Sequence, residues 1–410
     1  MAKDVHPPRG MRDFLPAEKL KRDFVLSKIR STYVAHGFQE IETPALEDLE
    51  RLTSGQGGDN EKLAFRVMKR GEELERSLAA NTDGDNLADL GLRYDLTVPL
   101  TRYYATNRSK LPKVFKAIQT GPVWRAERPQ KGRYRQFVQC DIDIIGDASP
   151  LAEIDLLVSS LEALEAIQLT DATIRVNHRV LLAKLLDGLG IPEDGKPAAM
   201  IIIDKLDKIF AEGVVKELGE KFGAKVAETA TGWLASLQSV IATPAELQDI
   251  FTAIESRFGK GRLRFDPTLV RGMGYYTGTI FEIEHPESGS SIGGGGRYDG
   301  MIGRWTGEEV PAVGISIGFE RAVDLVPNTL ADAQPKRLVL VLDDTSAGTI
   351  GVALARQKDL FERGYSVRLE QRPKKLNLLL DSLAEQGFTH FAAVGANSNS
   401  FESLDIKPIA

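Results

Sequence analysis

Thirteen residues, RAERPQKGRYRQF from Arg125 to Phe137, hold four arginines and a lysine against one glutamate, in a chain whose formal net charge is -6. Guanidinium groups at this density can grip phosphate or carboxylate through forked hydrogen bonds. Standing alone they could equally form a surface ion-pair ladder of little energetic worth. The next residues, FVQCDIDIIG, alternate strictly. On a strand, Phe137, Gln139, Asp141, Asp143 and Ile145 share one face, and Val138, Cys140, Ile142 and Ile144 share the other. The apolar face fits a core; the polar face is either solvated or part of a site. A strand ending at Arg125, a turn over residues 129–132 and a return strand from Arg133 would set guanidiniums beside carboxylates. That pairing suits a ligand with both a cationic amine and a phosphate.

Two further stretches point the same way. RGMGYYTGTIFEI, residues 271–283, has an arginine and paired tyrosines framed by glycines, then enters a strand. Glycines there allow backbone to approach a ligand closely. SIGGGGRYDG, residues 291–300, reads either as a flexible turn or as part of the same site. In VPAVGISIGFERAV, alternation at Val313, Ile315 and Ile317 gives a strand that breaks at Gly318 into a helix carrying Arg321. The familiar alternatives are missing from the sequence: no GxxxxGK[ST] phosphate loop, no GxSxG, no HExxH and no CxxC. The five histidines, His6, His36, His178, His285 and His390, are scattered, so a dedicated zinc site is not expected.

The elements that must position these residues follow from pattern changes along 410 residues, 42% of them hydrophobic. That is enough chain for two or three domains, each with a core. A pI near 5.6 implies that any polyanion is held locally rather than by bulk charge. One cysteine, Cys140, excludes an internal disulfide and suits a reducing compartment. No apolar run approaches a membrane span and the N-terminus has no apolar signal segment, so a cytoplasmic protein is expected. Helical spacing runs from Glu18 to Ala35 through Leu20, Phe24, Ile29 and Tyr33, with Gly37 as terminator. Strand-like patterns occupy FQEIETP, 113–119 and 136–145. Residues 50–90 read as loops around one short strand, Leu63 to Met68, and residues 150–270 as mostly helical, with TPAE at 243–246 a capping box. Beyond a linker at 328–336, strands alternating with helices imply a small parallel βαβαβ domain with right-handed crossovers.

Taken in order, PPRGMRDFLP, GFQEIETP, LRYDLTVPLTRYYATN, WRAERPQKGRYRQFVQCDIDIIG, RGMGYYTGTIFE, GGGGRYDGM and GISIGFERAV resemble the class II aminoacyl-tRNA synthetases over nearly the whole chain. The Arg-Gly-x-x-Tyr-Tyr element is particular to the histidyl branch. The resemblance implies an α+β fold: an antiparallel-sheet catalytic core over residues 1–327, a mostly helical insertion at about 180–260, and a small α/β anticodon-binding-like domain over 336–410. It implies activation of L-histidine with ATP and Mg2+, transfer to the 3' end of tRNA(His), and a homodimer with no membrane association. Arg125 then grips the α-phosphate with Glu127 in the ATP site, Arg321 lies toward the γ-phosphate, and Arg271 lies between carboxylate and α-phosphate. Asp95 and Gln139, with Thr97 beside them, take the α-amino group. Asp143 and Tyr276 read the imidazole, and Tyr275 lines the same wall. Gln130, Lys131, Arg133 and Arg135 face the tRNA acceptor end. Gly274 stands where an aspartate is common, and the RPKKLNLLLDSLAEQG segment is more apolar than the family's pattern. The resemblance also extends to a regulatory subunit of ATP phosphoribosyltransferase in histidine biosynthesis. Retention of Arg125, Arg271, Arg321 and a C-terminal domain favours the synthetase.

Arginine can bridge a carboxylate and a phosphate oxygen together, whereas lysine offers a single compact charge. Arg271→Lys is therefore expected to keep the fold and much of histidine binding but lose activation by roughly 10²-fold or more. ATP–pyrophosphate exchange at several histidine concentrations checks this. Near-normal turnover, or a change only in histidine requirement, would make Arg271 a binding residue.

Overall fold

The computed structural model describes residues 5–54, 58–80, 84–129, 132–237, 242–270, 275–327 and 336–409. The chain divides into two compact units, Met1–Arg12 with Ser27–Val326 and Asp13–Leu26 with Pro327–Ala410. The linker expected at 328–336 lies, but for its last residue, outside the described residues. The first long helix, Pro16–Ala35, starts on a proline, whose missing N–H costs nothing at a helix start. It buries Val25, Ile29 and Tyr33, spaced by four, and leaves Phe24 only half-buried. Gly37, at φ +81°, ends the run as expected.

Strand β1 is only Gln39–Glu40. Next come β2 (Leu46–Asp48), β3 (Arg66–Met68) and β4 (Ala88–Leu92), a three-stranded antiparallel sheet in the order β2-β4-β3, with a helix at Gly71–Ala79. The loop reading of residues 50–90 is corrected here. GEELERSLA is built of strong helix formers despite its polarity, and the glycine in ADLGL hides β4 from a pattern search.

The large sheet continues with β5 (Phe115–Trp124), β6 (Gln136–Ile145), β7 (Thr173–His178), β8 (Leu263–Phe265), β9 (Thr279–Glu284), β10 (Gly293–Arg297) and β11 (Ala312–Gly318). Its order is β1-β5-β6-β11-β10-β9-β7-β8. Among the described residues, the edge pairs β1–β5 and β7–β8 are parallel and the five interior pairings are antiparallel. The hairpin β5–β6 is in register from Phe115 opposite Ile145 to Trp124 opposite Gln136. On the core side, Cys140, Ile142 and Ile144 are buried as alternation requires; Ile145, placed on the polar face by alternation, is also fully buried. Between β7 and β8 the described chain is helical, from Arg179–Gly188 to Gln248–Phe258. The capping box expected at TPAE does not form. Pro244 precedes a 3-10 turn, Ala245–Leu247, that has no side-chain cap, and the Glu246 carboxylate accepts from Lys184 at 2.7 Å.

In the second unit, β12 (Arg337–Leu342), β13 (Ser366–Gln371) and β14 (His390–Val394) are parallel, and β15 (Lys407–Pro408) adds an antiparallel edge to give the order β13-β12-β14-β15. The helices Ala347–Glu362 and Leu376–Glu385 make the crossovers. The continuous apolar run of β12 is buried, as a parallel strand covered on both faces requires.

The glycine run 293–296 is an interior strand and not a turn. A Cβ on Gly293 would meet the Ser316 carbonyl oxygen at 2.5 Å, and one on Gly296 would meet that of Thr279 at 2.6 Å. At Gly295 it would strike the Gly314 carbonyl and sit 2.6 Å from Ile315 Cα. Because these are backbone atoms of paired strands, neither side can yield cheaply. Gly295→Ala is expected to cost about 1–3 kcal/mol despite the entropy gained by removing a glycine. Denaturant unfolding measures it; an unchanged midpoint would show that the sheet relaxes.

Candidate active site

The sheet's open face carries a cleft of about 570 Å³. Alternation along β6 delivers Phe137, Gln139, Asp141 and Asp143 to its floor. Asp95 and Thr97 enter from the start of the helix Thr97–Asn107, where Asp95 Oδ1 accepts from Val98 N at 3.1 Å. Arg125, Glu127 and Arg133 come from the β5–β6 hairpin, and Tyr275 and Tyr276 from the approach to β9. Arg321 comes from the helix Phe319–Leu325, immediately after β11.

The charge of the cleft changes along β6. At one end, Asp95, Asp141 and Asp143 are each buried, at 3%, 4% and 2% exposure. Burial disfavours the charged carboxylate and pushes Asp95 up to about 6 and Asp143 up to about 7. Asp141 is raised well above the usual range, by burial first and then by Asp143's like charge. Among the described residues, three buried acceptors here have no hydrogen-bond partner: Asp95 Oδ2, Gln139 Oε1 and Asp141 Oδ1. Buried acceptors are normally satisfied, so this group is poised for a donor-rich ligand. Asp143 Oδ1 accepts from the Tyr298 hydroxyl at 2.6 Å. The Asp143 carboxylate occupies space that Gly314, opposite it on β11, leaves open, since a Cβ there would lie 2.8 Å from Asp143 Cγ. Tyr275 packs edge-on against Tyr276 at 4.7 Å and against Tyr298 at 6.2 Å between ring centroids, an aromatic wall beside the acids.

At the other end, Arg125 Nε donates to Tyr94 O at 3.0 Å, anchoring its side chain, and Arg133 lies 3.6 Å from Glu127. Arg321 donates to the Ser291 carbonyl; burial first, then the Arg133 charge, lowers its pKa. The two ends meet at Arg125, whose charge opposes part of the rise at Asp95 and Asp141, and together they can hold a zwitterion and a polyphosphate side by side.

Of the residues expected from sequence, Asp95, Thr97, Arg125, Glu127, Arg133, Gln139, Asp143, Tyr275, Tyr276 and Arg321 meet in this cleft. Arg135 does not line it: its Nε donates to Glu127 O at 3.0 Å and its backbone N to Gly10 O at 2.8 Å, so it braces the hairpin. Gln130, Lys131, Arg271 and Gly274 lie outside the described residues. Sequence reasoning missed Asp141 and Tyr298 as site residues, although alternation already placed Asp141 between Gln139 and Asp143. It also missed what fixes Tyr298. The preceding Arg297 forms a two-pronged pair with buried Glu153, both bonds 2.6 Å, and Glu153 also accepts from Thr279 at 2.9 Å. Among the described residues no group of three or more His, Cys, Asp or Glu could hold a metal ion, and no helix is long and apolar enough to cross a membrane.

Residues 10–322 match a family described as histidyl-tRNA synthetase. A histidine–tRNA ligase of Leifsonia xyli subsp. xyli is 53% identical over 433 aligned positions, covering 100% of this chain and 99% of that protein. Among solved structures, histidyl-tRNA synthetase from Nostoc sp. PCC 7120 superposes with a TM-score of 0.76 at 28% identity, covering 95% of this chain and 91% of that one. A structure described as an ATP phosphoribosyltransferase regulatory subunit/histidyl-tRNA synthetase, from Bacillus halodurans C, gives a TM-score of 0.74 at 20% identity, covering 92% and 96%. At that identity it shares the fold alone.

The raised carboxyls make stability depend on pH. The folded chain holds protons on Asp95 and Asp143 that the unfolded chain has released, so their contribution falls as pH rises from about 4 to about 7. Asp143→Asn, which keeps an acceptor for Tyr298, should raise the unfolding midpoint of the ligand-free protein at about pH 8, and the gain should shrink toward about pH 5. Melting curves at both pH values decide it; an equal gain at each would show that ionisation of Asp143 is not the penalty.

Proposed function

The chain belongs to the histidyl-tRNA synthetase family, and from that premise we propose how its cleft activates L-histidine with ATP and passes it to the 3' end of tRNA(His). The enzyme is a ligase that charges tRNA with histidine, as its relatives' names state of them. The observation that carries the assignment of the cleft is the trio of unpartnered buried acceptors, Asp95 Oδ2, Gln139 Oε1 and Asp141 Oδ1. An α-ammonium group brings three N–H donors and the charge that three desolvated carboxyls lack.

With the amine so held, Asp143 and Tyr276 take the imidazole nitrogens and Tyr275 lines the ring's wall, with Tyr298 orienting Asp143. A side chain without those ring nitrogens would leave buried polar groups unpaired, which is the stronger kind of discrimination. The substrate carboxylate then points to the basic end. ATP enters there as its magnesium complex, its phosphates taken by Arg125 and Arg321 with Glu127 alongside. A carboxylate oxygen attacks the α-phosphorus; the new P–O bond forms as the bond to pyrophosphate breaks. Two anions must meet in this step, and the guanidiniums of Arg125 and Arg321, together with that of Arg271, offset their repulsion without proton transfer. Each close charge pair contributes roughly 4 kcal/mol at 4 Å for an effective dielectric of about 20. In the second step a hydroxyl of the tRNA's terminal ribose attacks the activated carbonyl and AMP leaves. Arg133 on the hairpin meets the acceptor end, a task the sequence also assigns to Gln130 and Lys131, and the enzyme works as a homodimer.

The regulatory alternative has only shared fold behind it, and the basic end of the cleft would have no task in a protein that merely senses histidine. ATP–pyrophosphate exchange with each amino acid in turn tests the reading. Exchange should require histidine and magnesium; no exchange above background with any amino acid would overturn it.

A further inference from the structure

The N-terminal stretch PPRGMRDFLP has no part in the chemistry assigned above, yet its first half is laced to both sides of the basic end. Met11 N donates to Pro8 O at 2.9 Å, turning the chain at Gly10, whose φ is +83°. A Cβ on Gly10 would meet Pro129 Cγ at 2.7 Å and Arg135 Cγ at 2.9 Å, so this turn lies directly on the β5–β6 hairpin. Arg135 N donates to Gly10 O at 2.8 Å, and Arg135 O in turn accepts from Arg125 N at 2.9 Å. Arg12 then reaches further. Its guanidinium sits 3.7 Å from the centroid of the Tyr134 ring, on the hairpin's return arm. Its Nη2 donates to Glu320 Oε2 at 2.6 Å, while Glu320 Oε1 accepts from Val138 N at 3.1 Å. Glu320 is buried and precedes Arg321 in the same helix.

One guanidinium therefore joins the hairpin that carries Arg125 and Arg133 to the helix that carries Arg321. We propose that Arg12 is a positioning residue for ATP, a strap that fixes the spacing between the two sets of phosphate-binding arginines. The proposal rests on the reading of the basic end as the ATP site. Arginine suits the task because a planar fork can stack on a ring and bond a carboxylate at once, which a lysine ammonium does less well. The buried Glu320 carboxylate makes the link more than a surface ion pair.

The test uses the full chain and three variants, Arg12→Lys, Glu320→Gln and the double variant, none of which leaves an uncompensated Glu320 charge. Half-saturating concentrations of ATP and of histidine are measured separately in ATP–pyrophosphate exchange, with melting curves to confirm folding. Each single variant should raise the ATP requirement about 10-fold and move the histidine requirement by less than about 2-fold, and the double should be no worse than the larger single effect. Three results would overturn the strap: ATP requirements unchanged in all variants, ATP and histidine requirements rising together, or single effects that multiply in the double. Wild-type chain with no exchange at all would remove the ATP-site reading and this proposal with it; normal wild-type exchange with any of the three would remove Arg12's role alone.

Discussion

Three carboxyls buried together at one end of a cleft set the terms for the rest of this structure. Asp95, Asp141 and Asp143 are desolvated, their pKa values are raised, and two of them present unpartnered oxygens. A fold does not hold such a cluster for its own stability, since burying like charges together opposes folding. A cation bound among them would offset that cost. The arginines of the same cleft cluster toward the β5–β6 hairpin, with Arg125 near enough to Asp95 and Asp141 to oppose part of their rise.

That arrangement depends on the sheet beneath. β6 brings the acids along one face; β10 lies so close to its neighbours that side chains are excluded at Gly293 and Gly295 by β11 and at Gly296 by β9. Gly314 makes the space in which the Asp143 carboxylate lies, and Arg297, locked to Glu153, fixes the chain just before Tyr298. The hydroxyl of Tyr298 then selects which Asp143 oxygen remains for a ligand. The geometry at Asp143 is thus set two layers below the cleft floor.

Much of the site was legible in the sequence where periodicity and charge agreed. The alternation of FVQCDIDIIG put Gln139, Asp141 and Asp143 on one face, and the strand-to-helix break at Gly318 placed Arg321 at a helix start. Glycine defeated the same method: GGGG has no side chains to alternate, and only its neighbours' backbone atoms reveal that it is an interior strand. The polarity of GEELERSLA hides the helix Gly71–Ala79, and the glycine in ADLGL hides β4. Tyr298 and the Glu153–Arg297 pair were invisible for another reason. Glu153 and Arg297 stand 144 positions apart, and nothing local in either segment announces the other.

The register of the large sheet has a consequence for how the chain assembles during synthesis. The β5–β6 hairpin closes locally, but β6 gains its second neighbour only from β11, where Gln139 pairs with Gly318. All of residues 146–311, including the helical segment between β7 and β8, must emerge before that edge is covered. Loop closure over such a distance is slow, and an unpaired edge with one apolar face is prone to wrong association meanwhile. The helices from Arg179 to Phe258 can form from local contacts in that interval. The cleft, by contrast, cannot exist on a nascent chain until β11 and the helix after it arrive, so nothing that binds there can assist the folding steps before that point.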